Sequence, residues 1–219
     1  SLLNELKAAI EARTDYSGII EAIRSLLPYP EAEYVDLGLS VKWAKWNVGA
    51  KSETDYGSYF AWGETTPKED YNMDTYKWAK YDKDSGSYVM TKYNSTDGLK
   101  TLEPEDDAAT ANWGSEWRTA TWDEYEELIR NCDWTWTTKN DVNGYIVTGK
   151  NGNSIFLPAA GEKSEHAGKL GYYWSSTICQ YDGLFPKFAY YLYFSSDEIG
   201  NAFSFSRCTG VPVRPVLNK

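Results

Sequence analysis

Short aromatic and β-branched runs dominate the chain from residue 34 onward and limit the folds open to it. Tyr, Trp, Val, Phe and Ile occur in runs of a few residues, and Gly, Asn, Asp or Ser breaks each run. Such runs suit strands with a side-chain period of two, and the residues that break them suit turns. We therefore predict strands near residues 34–43, 57–63, 144–149, 153–158, 171–176, 188–195, 201–206 and 211–216.

The segment NGYIVTGKNGNSIFLP (143–158) is the clearest hairpin in the sequence. Its two apolar runs flank Gly149, Asn151 and Gly152, residue types that adopt a positive φ at little cost. We expect antiparallel strands on either side of this turn.

Helical patterns are few after residue 34. In TATWDEYEELIRNC (119–132), Thr121 precedes Glu124 by three positions, which is a capping-box pattern at the start of a helix. A shorter helix is expected from Pro104 to Asn112, and the remainder of 64–112 is expected to form loops. Because strands and helices do not alternate as βαβ units, the sequence predicts an α+β class with mixed short strands and few helices.

The first 33 residues follow a different pattern. Their apolar residues recur at spacings of three and four up to Leu27, which is typical of helices. We predict a helical extension over 1–33, either a helical hairpin or a bent helix, ahead of a domain at 34–219. Since short helices are marginal in water, either the domain or self-association with another chain must cover the apolar stripe.

Charge and hydropathy exclude some partners and locations. The formal net charge of −10 argues against a nucleic-acid partner, because binding a phosphate backbone requires clustered Lys and Arg. No apolar run approaches the roughly 18 residues needed to cross a bilayer, and the first residues lack the form of a signal peptide. The sequence is compatible with a cytoplasmic protein or with one whose leader has been removed.

The residues that commonly carry catalysis or bind metals are sparse. The three cysteines, Cys132, Cys179 and Cys208, are widely spaced, and His166 is the only histidine. This pattern matches neither a zinc site nor a dense disulfide framework, and it offers no obvious pairing of nucleophile and base. From the residues alone we expect no metal ion, no cofactor and no enzymatic activity.

Six segments, in chain order over residues 34–216, carry a family resemblance: YVDLGLSVKWAKWNVGA (34–50), DYGSYFAWGET (55–65), LEPEDDAATANWGSEWRTATWDEYEELI (102–129), NGNSIFLPAAG (151–161), GYYWSST (171–177) and GVPVRPV (210–216). Together they resemble the major paralogous domain first noted in Fibrobacter succinogenes and abundant in gut Bacteroidetes. That domain is similar to C-type-lectin-like folds, whose relatives include formylglycine-generating enzymes and the variable proteins of diversity-generating retroelements. The chain departs from the family at Trp46, where members often have Cys.

The resemblance implies a C-type-lectin-like domain whose C-terminal third displays a variable, ligand-binding surface. It implies an adhesin-like protein displayed outside the cell, with its leader removed and a lipid anchor as one means of attachment. The partner would be a protein or glycan on another cell or in the host, and a retroelement could diversify the surface. Two other functions stay open: a structural surface or pilus-like subunit, and a formylglycine-generating-like enzyme that uses Cys179 and Cys208.

The aromatic segment 171–196 contains the candidate binding surface. In FAYYLYFSS (188–196), alternation places Tyr190 on one face of a strand and Tyr191 with Tyr193 on the other, and we expect part of these rings to face solvent. The loop 178–188 has no strand period, so its rings are expected either to form an exposed contact surface or to fold back on the core. The predicted ligand contacts are Tyr181, Asp182, Leu184, Phe185, Asp197, Asn201, Ser204, Ser206 and Thr209.

Two arginines flank the terminal strand GVPVRPV. A guanidinium group donates several hydrogen bonds in a fixed fork, which suits it to holding loop carbonyls. We expect Arg207 and Arg214 to organise the structure and not to act in catalysis.

Overall fold

A computed structural model describes residues 33–219, apart from Ser164 and residues 182–184 and apart from the side chains of residues 201–203. The helical extension predicted over 1–33, and self-association through it, lie outside the described residues and stay predictions. Among the described residues, no helix has the length and apolar character needed to span a membrane.

Strands account for most of the regular structure in the described chain. The α-helices are α1 (Ala108–Trp113) and α2 (Trp122–Asn131), and a 3-10 helix spans Pro104–Asp106. The strands are β1 (Tyr34–Val35), β2 (Val41–Ala44), β3 (Tyr59–Phe60), β4 (Ala79–Asp82), β5 (Ser87–Met90), β6 (Trp117–Thr119), β7 (Cys132–Lys139), β8 (Val142–Gly149), β9 (Ser154–Pro158), β10 (Gly171–Ile178), β11 (Phe188–Phe194), β12 (Ile199–Ser206), β13 (Val211–Pro212) and β14 (Pro215–Asn218).

The strands form small antiparallel sheets. Their orders are β1-β2-β14-β6, β10-β11-β12, β7-β8-β9, β3-β13 and β4-β5. In the first sheet the C-terminal strand β14 lies between β2 and β6, with Val216 opposite Trp43 on one side and Arg118 on the other. The beginning and the end of the described domain are therefore tied together by backbone hydrogen bonds.

Several predicted elements are confirmed. Strands β8 and β9 pair as the expected hairpin, and Gly152 takes a φ of +84° in its turn. Helix α2 begins with the predicted capping box, in which Thr121 Oγ1 accepts from the Glu124 N–H and the Glu124 carboxylate accepts from the Thr121 N–H. The 3-10 helix and α1 occupy the short helical segment expected after Pro104.

Other boundaries were wrong for identifiable reasons. The strand predicted at 34–43 is interrupted between β1 and β2, where Gly38 has a φ of +79° and donates its N–H to the Asp36 carboxylate. Strands β4 and β5 form a hairpin inside the segment predicted as loops. Strand β7 was missed, because its charged and Thr residues hide the alternation that Trp134 and Trp136 carry.

Two buried clusters lie on opposite faces of β11. Leu192 and Phe194 belong to one cluster, which also contains Trp43 and Val216. Tyr191, only 6% exposed, belongs to the other. A second cluster of rings therefore covers Tyr191, while Tyr190 and Tyr193 remain half-buried.

The two arginines have the organising role expected of them. The fully buried Arg214 guanidinium donates to the carbonyls of Ala44 (2.9 Å), Lys45 (2.8 Å) and Phe156 (3.0 Å) and to Asn47 Oδ1 (2.8 Å). These acceptors lie at or just after the end of β2 and within β9, so one side chain joins segments distant in sequence.

Candidate functional site

The loop 179–188 connects β10 to β11 and is closed at its base by backbone hydrogen bonds. The Cys179 N–H donates to the Phe188 carbonyl at 3.1 Å, and the Arg207 N–H donates to the Lys187 carbonyl at 3.1 Å. Within the loop, the Phe185 N–H donates to the Tyr181 carbonyl at 3.1 Å. The loop therefore begins and ends on two neighbouring strands of an ordered sheet.

Arg207 supports the end of this loop from the protein interior. Its guanidinium is fully buried and donates to the Pro186 carbonyl (2.9 Å), the Lys92 carbonyl (3.1 Å) and the Tyr76 hydroxyl (2.8 Å). It also lies over the Trp62 ring, 4.8 Å from the centroid. Burial lowers the pKa of Arg207, but an arginine starts so far above neutrality that the group stays charged.

Three rings form a ladder from the start of α2 to the surface of the loop. Trp122 stacks on Tyr190 with centroids 5.5 Å apart, and Tyr190 meets Tyr181 edge to face at 6.1 Å. Exposure rises along the ladder, from 8% for Trp122 to 58% for Tyr181. We call Trp122, Tyr190 and Tyr181 the aromatic ladder. Its outer ring is available for contact and its inner rings are held by packing.

Two serine hydroxyls of β12 lie beside the ladder. Ser204 pairs with Tyr190 and Ser206 pairs with Phe188, and cross-strand partners share one face of a sheet. Both serines are half-buried, and the Ser206 hydroxyl lies 3.2 Å from the Cys208 sulfur. The described part of this surface thus combines a large exposed ring with small polar groups, which suits ligand binding, and no base lies beside the two serine hydroxyls among the described contacts.

The predicted contact residues do not all meet at one place. Three have side chains outside the described part of the structure: Asp182, Leu184 and Asn201. Phe185 is half-buried and packs against the second core cluster. Asp197 is exposed in the β11–β12 turn, at the far end of a seven-residue strand, about 20 Å from the loop by strand geometry. Thr209 is half-buried, just beyond the end of β12 that lies next to the loop.

Sequence reasoning missed the structural basis of the ladder. Alternation places Tyr190 on one face of its strand, and periodicity says nothing about which two elements meet. The backbone N–H of Trp122 also donates to Thr177 Oγ1 at 3.1 Å, which joins the start of α2 to the end of β10. No local sequence pattern predicts this contact, because the two residues are 55 positions apart.

His166 lies in a small polar cluster that the sequence did not reveal. Its Nδ1 is 2.9 Å from Glu162 Oε1 and 3.9 Å from Glu165 Oε2, and one ligand atom from each residue falls within 4.8 Å of the others. A cation could bridge such atoms, but the imidazole is already paired with Glu162 four residues away. We account for the contact as a hydrogen bond between the imidazole and the Glu162 carboxylate within this loop.

The three thiols are free and shielded. Cys179 is fully buried, Cys208 is 8% exposed, and Cys132 is half-buried. Burial raises the pKa of Cys132 to about 11, so this thiol stays protonated at neutral pH. A protonated or buried thiol is a poor nucleophile.

Comparisons with protein-family models, curated proteins and solved structures found no match to this chain.

Proposed function

We propose that residues 34–219 form a C-type-lectin-like binding module related to the Fibrobacter-type major paralogous domain. Its function is to recognise a protein or glycan ligand without catalysis. As in the family it resembles, the module would be displayed outside the cell, and a retroelement could diversify its surface. The small antiparallel sheets, the few helices and the pairing of β2 with β14 support this assignment, since they make a compact frame with adjacent ends.

One observation carries the proposal: Tyr181 is 58% exposed on a loop whose base is fixed to the core. An exposed ring on a fixed support supplies contact area at a low cost in conformational entropy. Aromatic side chains in binding loops act in this way. Arg207 provides the support through the Pro186 carbonyl, and Tyr190 provides it through ring contact.

The shielded cysteines favour binding over the formylglycine-generating alternative. That chemistry needs two cysteines accessible to substrate and copper, whereas Cys179 is sealed inside and Cys208 packs in a separate cluster with Tyr76 and Met90. A pilus-like subunit would depend on the extension at 1–33, of which the structure describes only Glu33.

The decisive experiment replaces Tyr181 with Ser and compares binding to a glycan array and to an array of cell-surface proteins. Tyr81→Ser is a matched control, because Tyr81 is 52% exposed and meets Tyr88 edge to face just as Tyr181 meets Tyr190. We expect Tyr181→Ser to weaken the wild-type signal at least tenfold, as loss of an aromatic anchor does, while Tyr81→Ser leaves it within twofold.

Circular dichroism should show both variants folded, since each change removes an exposed ring. Equal binding by wild type and Tyr181→Ser would contradict the proposed surface. A wild-type protein that binds nothing on either array would contradict recognition as the function.

A further inference from the structure

A pocket lies apart from the aromatic ladder. Segments around β1, the end of β2, the loop at 51–53 and the start of β9 enclose a pocket of about 300 Å³. Val35 and Ile155 supply apolar lining, while Ser52 and Ser154 bring hydroxyl groups. This volume is at the lower end of ligand-binding pockets, so it suits one small ring and not an extended chain.

The charges around the pocket leave one cation without a partner. The Lys45 ammonium pairs with Glu33 at 2.5 Å, and Glu53 pairs with the Lys139 ammonium at 2.6 Å. Lys51 also lines the pocket, and among residues 33–219 as described its ammonium forms no ion pair. The neighbouring Asp55 carboxylate accepts from the Lys51 backbone N–H. Lys51 is therefore a cation at the pocket that no described ion pair neutralises.

Trp46 contributes a wall with an unsatisfied polar group. It lines the pocket, and its indole N–H is a buried donor that has no acceptor among the described residues. This nitrogen is shielded from solvent, so what Trp46 offers the pocket is its ring. An indole also offers a flat apolar surface of the kind that packs against rings.

From the unpaired ammonium, the indole wall and the pocket size, we propose that this pocket binds an acidic monosaccharide unit of the hexuronic acid type. The carboxylate pairs with Lys51, the ring packs against Trp46, and the ring hydroxyls reach Ser52 and Ser154.

A monocarboxylate fits better than a phosphate or another dianion. One ammonium compensates one negative charge, and the field of a protein with net charge −10 repels a dianion about twice as strongly as a monoanion. A bare anion would leave the apolar side chains of Val35 and Ile155 uncovered, whereas a sugar ring also covers them.

This inference goes beyond the proposed function and does not depend on it. None of the pocket residues belongs to the aromatic ladder or to the predicted ligand contacts. Failure of one proposal would therefore leave the other in place.

The test is titration of the full chain with glucuronate, followed by calorimetry and by NMR of the Trp46 indole resonance, which the Trp46→Phe spectrum identifies. We expect a dissociation constant on the order of 1 mM, a weak single-unit affinity. Lys51→Met, which keeps the aliphatic stem, should weaken binding at least tenfold. Lys83→Met should not change it, because Lys83 is exposed in the β4–β5 turn, outside the pocket lining.

Glucose and sulfate are titrated in the same way as comparison ligands. The proposal requires that each binds at least tenfold more weakly than glucuronate, because each offers only half of the recognised chemistry. Sulfate binding as tight as glucuronate binding would reduce the pocket to a simple anion site and overturn the proposal. Absence of any Trp46 shift with glucuronate, or full binding by Lys51→Met, would also overturn it.

Discussion

At the scale of single residues, two buried arginines connect the loops of this domain. Arg207 and Arg214 are both fully buried, and most of their hydrogen bonds go to backbone carbonyls and not to carboxylates. A guanidinium group has five donors in a fixed fork, so one side chain satisfies carbonyls from several segments at once. Loops that lack regular structure thereby gain the pairing that a sheet would otherwise provide.

Replacing Arg214 with Met tests this role. The change leaves the carbonyls of Ala44, Lys45 and Phe156 without their donor, and we expect a loss of at least about 3 kcal/mol in the free energy of unfolding. Arg130→Met is the control, because that side chain is 71% exposed and pairs with Glu126 in a surface ion pair, so its loss should stay below about 0.5 kcal/mol. Urea unfolding measures both, and a loss under about 1 kcal/mol for Arg214→Met would refute the role.

At the scale of elements, helix α2 is joined to strand β6 by its own capping residue. Glu124 closes the capping box and also receives two hydrogen bonds from the Arg118 guanidinium, at 2.8 and 2.5 Å. Burial opposes ionisation of this carboxyl, but the donors from Arg118 and Thr121 outweigh it and lower the pKa of Glu124. A bidentate pair of this kind fixes orientation as well as distance.

The lowered pKa determines how stability depends on pH. Glu124 contributes fully above the ordinary glutamate pKa of about 4.3, and its contribution is lost as the pH falls through the lower pKa of the folded state. Glu124→Gln preserves the capping geometry without the charge, so we expect it to reduce stability at pH 7 by on the order of 1 kcal/mol. The gap between wild type and variant should shrink below about pH 4.

Glu126→Gln serves as the control for this measurement, since Glu126 lies on the same helix in a more exposed pair with Arg130. Its urea midpoint should stay close to that of the wild type across the pH range. A Glu124→Gln deficit that persists unchanged at pH 3 would indicate lost packing and not lost charge.

At the scale of the whole molecule, the last strand completes the sheet that the first strands begin. Strand β14 pairs with β2 and β6, and Val216 is fully buried in the first core cluster. Removing β14 would leave β6 without its partner, expose one edge of β2 and open the cluster that Trp43 also lines. The free energy of the domain therefore depends on contacts of long sequence separation.

Deletion of residues 215–219 should abolish cooperative thermal unfolding and the near-ultraviolet circular dichroism signal. Deletion of Lys219 alone is the control, because this residue lies beyond the end of β14 and forms a half-exposed ion pair with Asp36. We expect the control to melt within about 2 °C of the full chain. A cooperative transition in the longer deletion, within about 5 °C of wild type, would contradict this dependence.

Local chemistry by itself determined the elements whose signals lie within a few residues. The β8–β9 turn and the Thr121 capping box were predictable because positive-φ residues and paired capping groups act over three or four positions. The organising role of the two arginines followed from the guanidinium fork.

Tertiary structure alone decided which surfaces stay open. The sequence correctly separated Tyr190 from Tyr191 on opposite faces of β11, but only packing shows that a second cluster covers the Tyr191 side. The aromatic ladder and the Trp46 pocket likewise arise from residues far apart in the chain. Burial is a property of what packs against a side chain, and a one-dimensional pattern records the periodicity of a face without recording its partner.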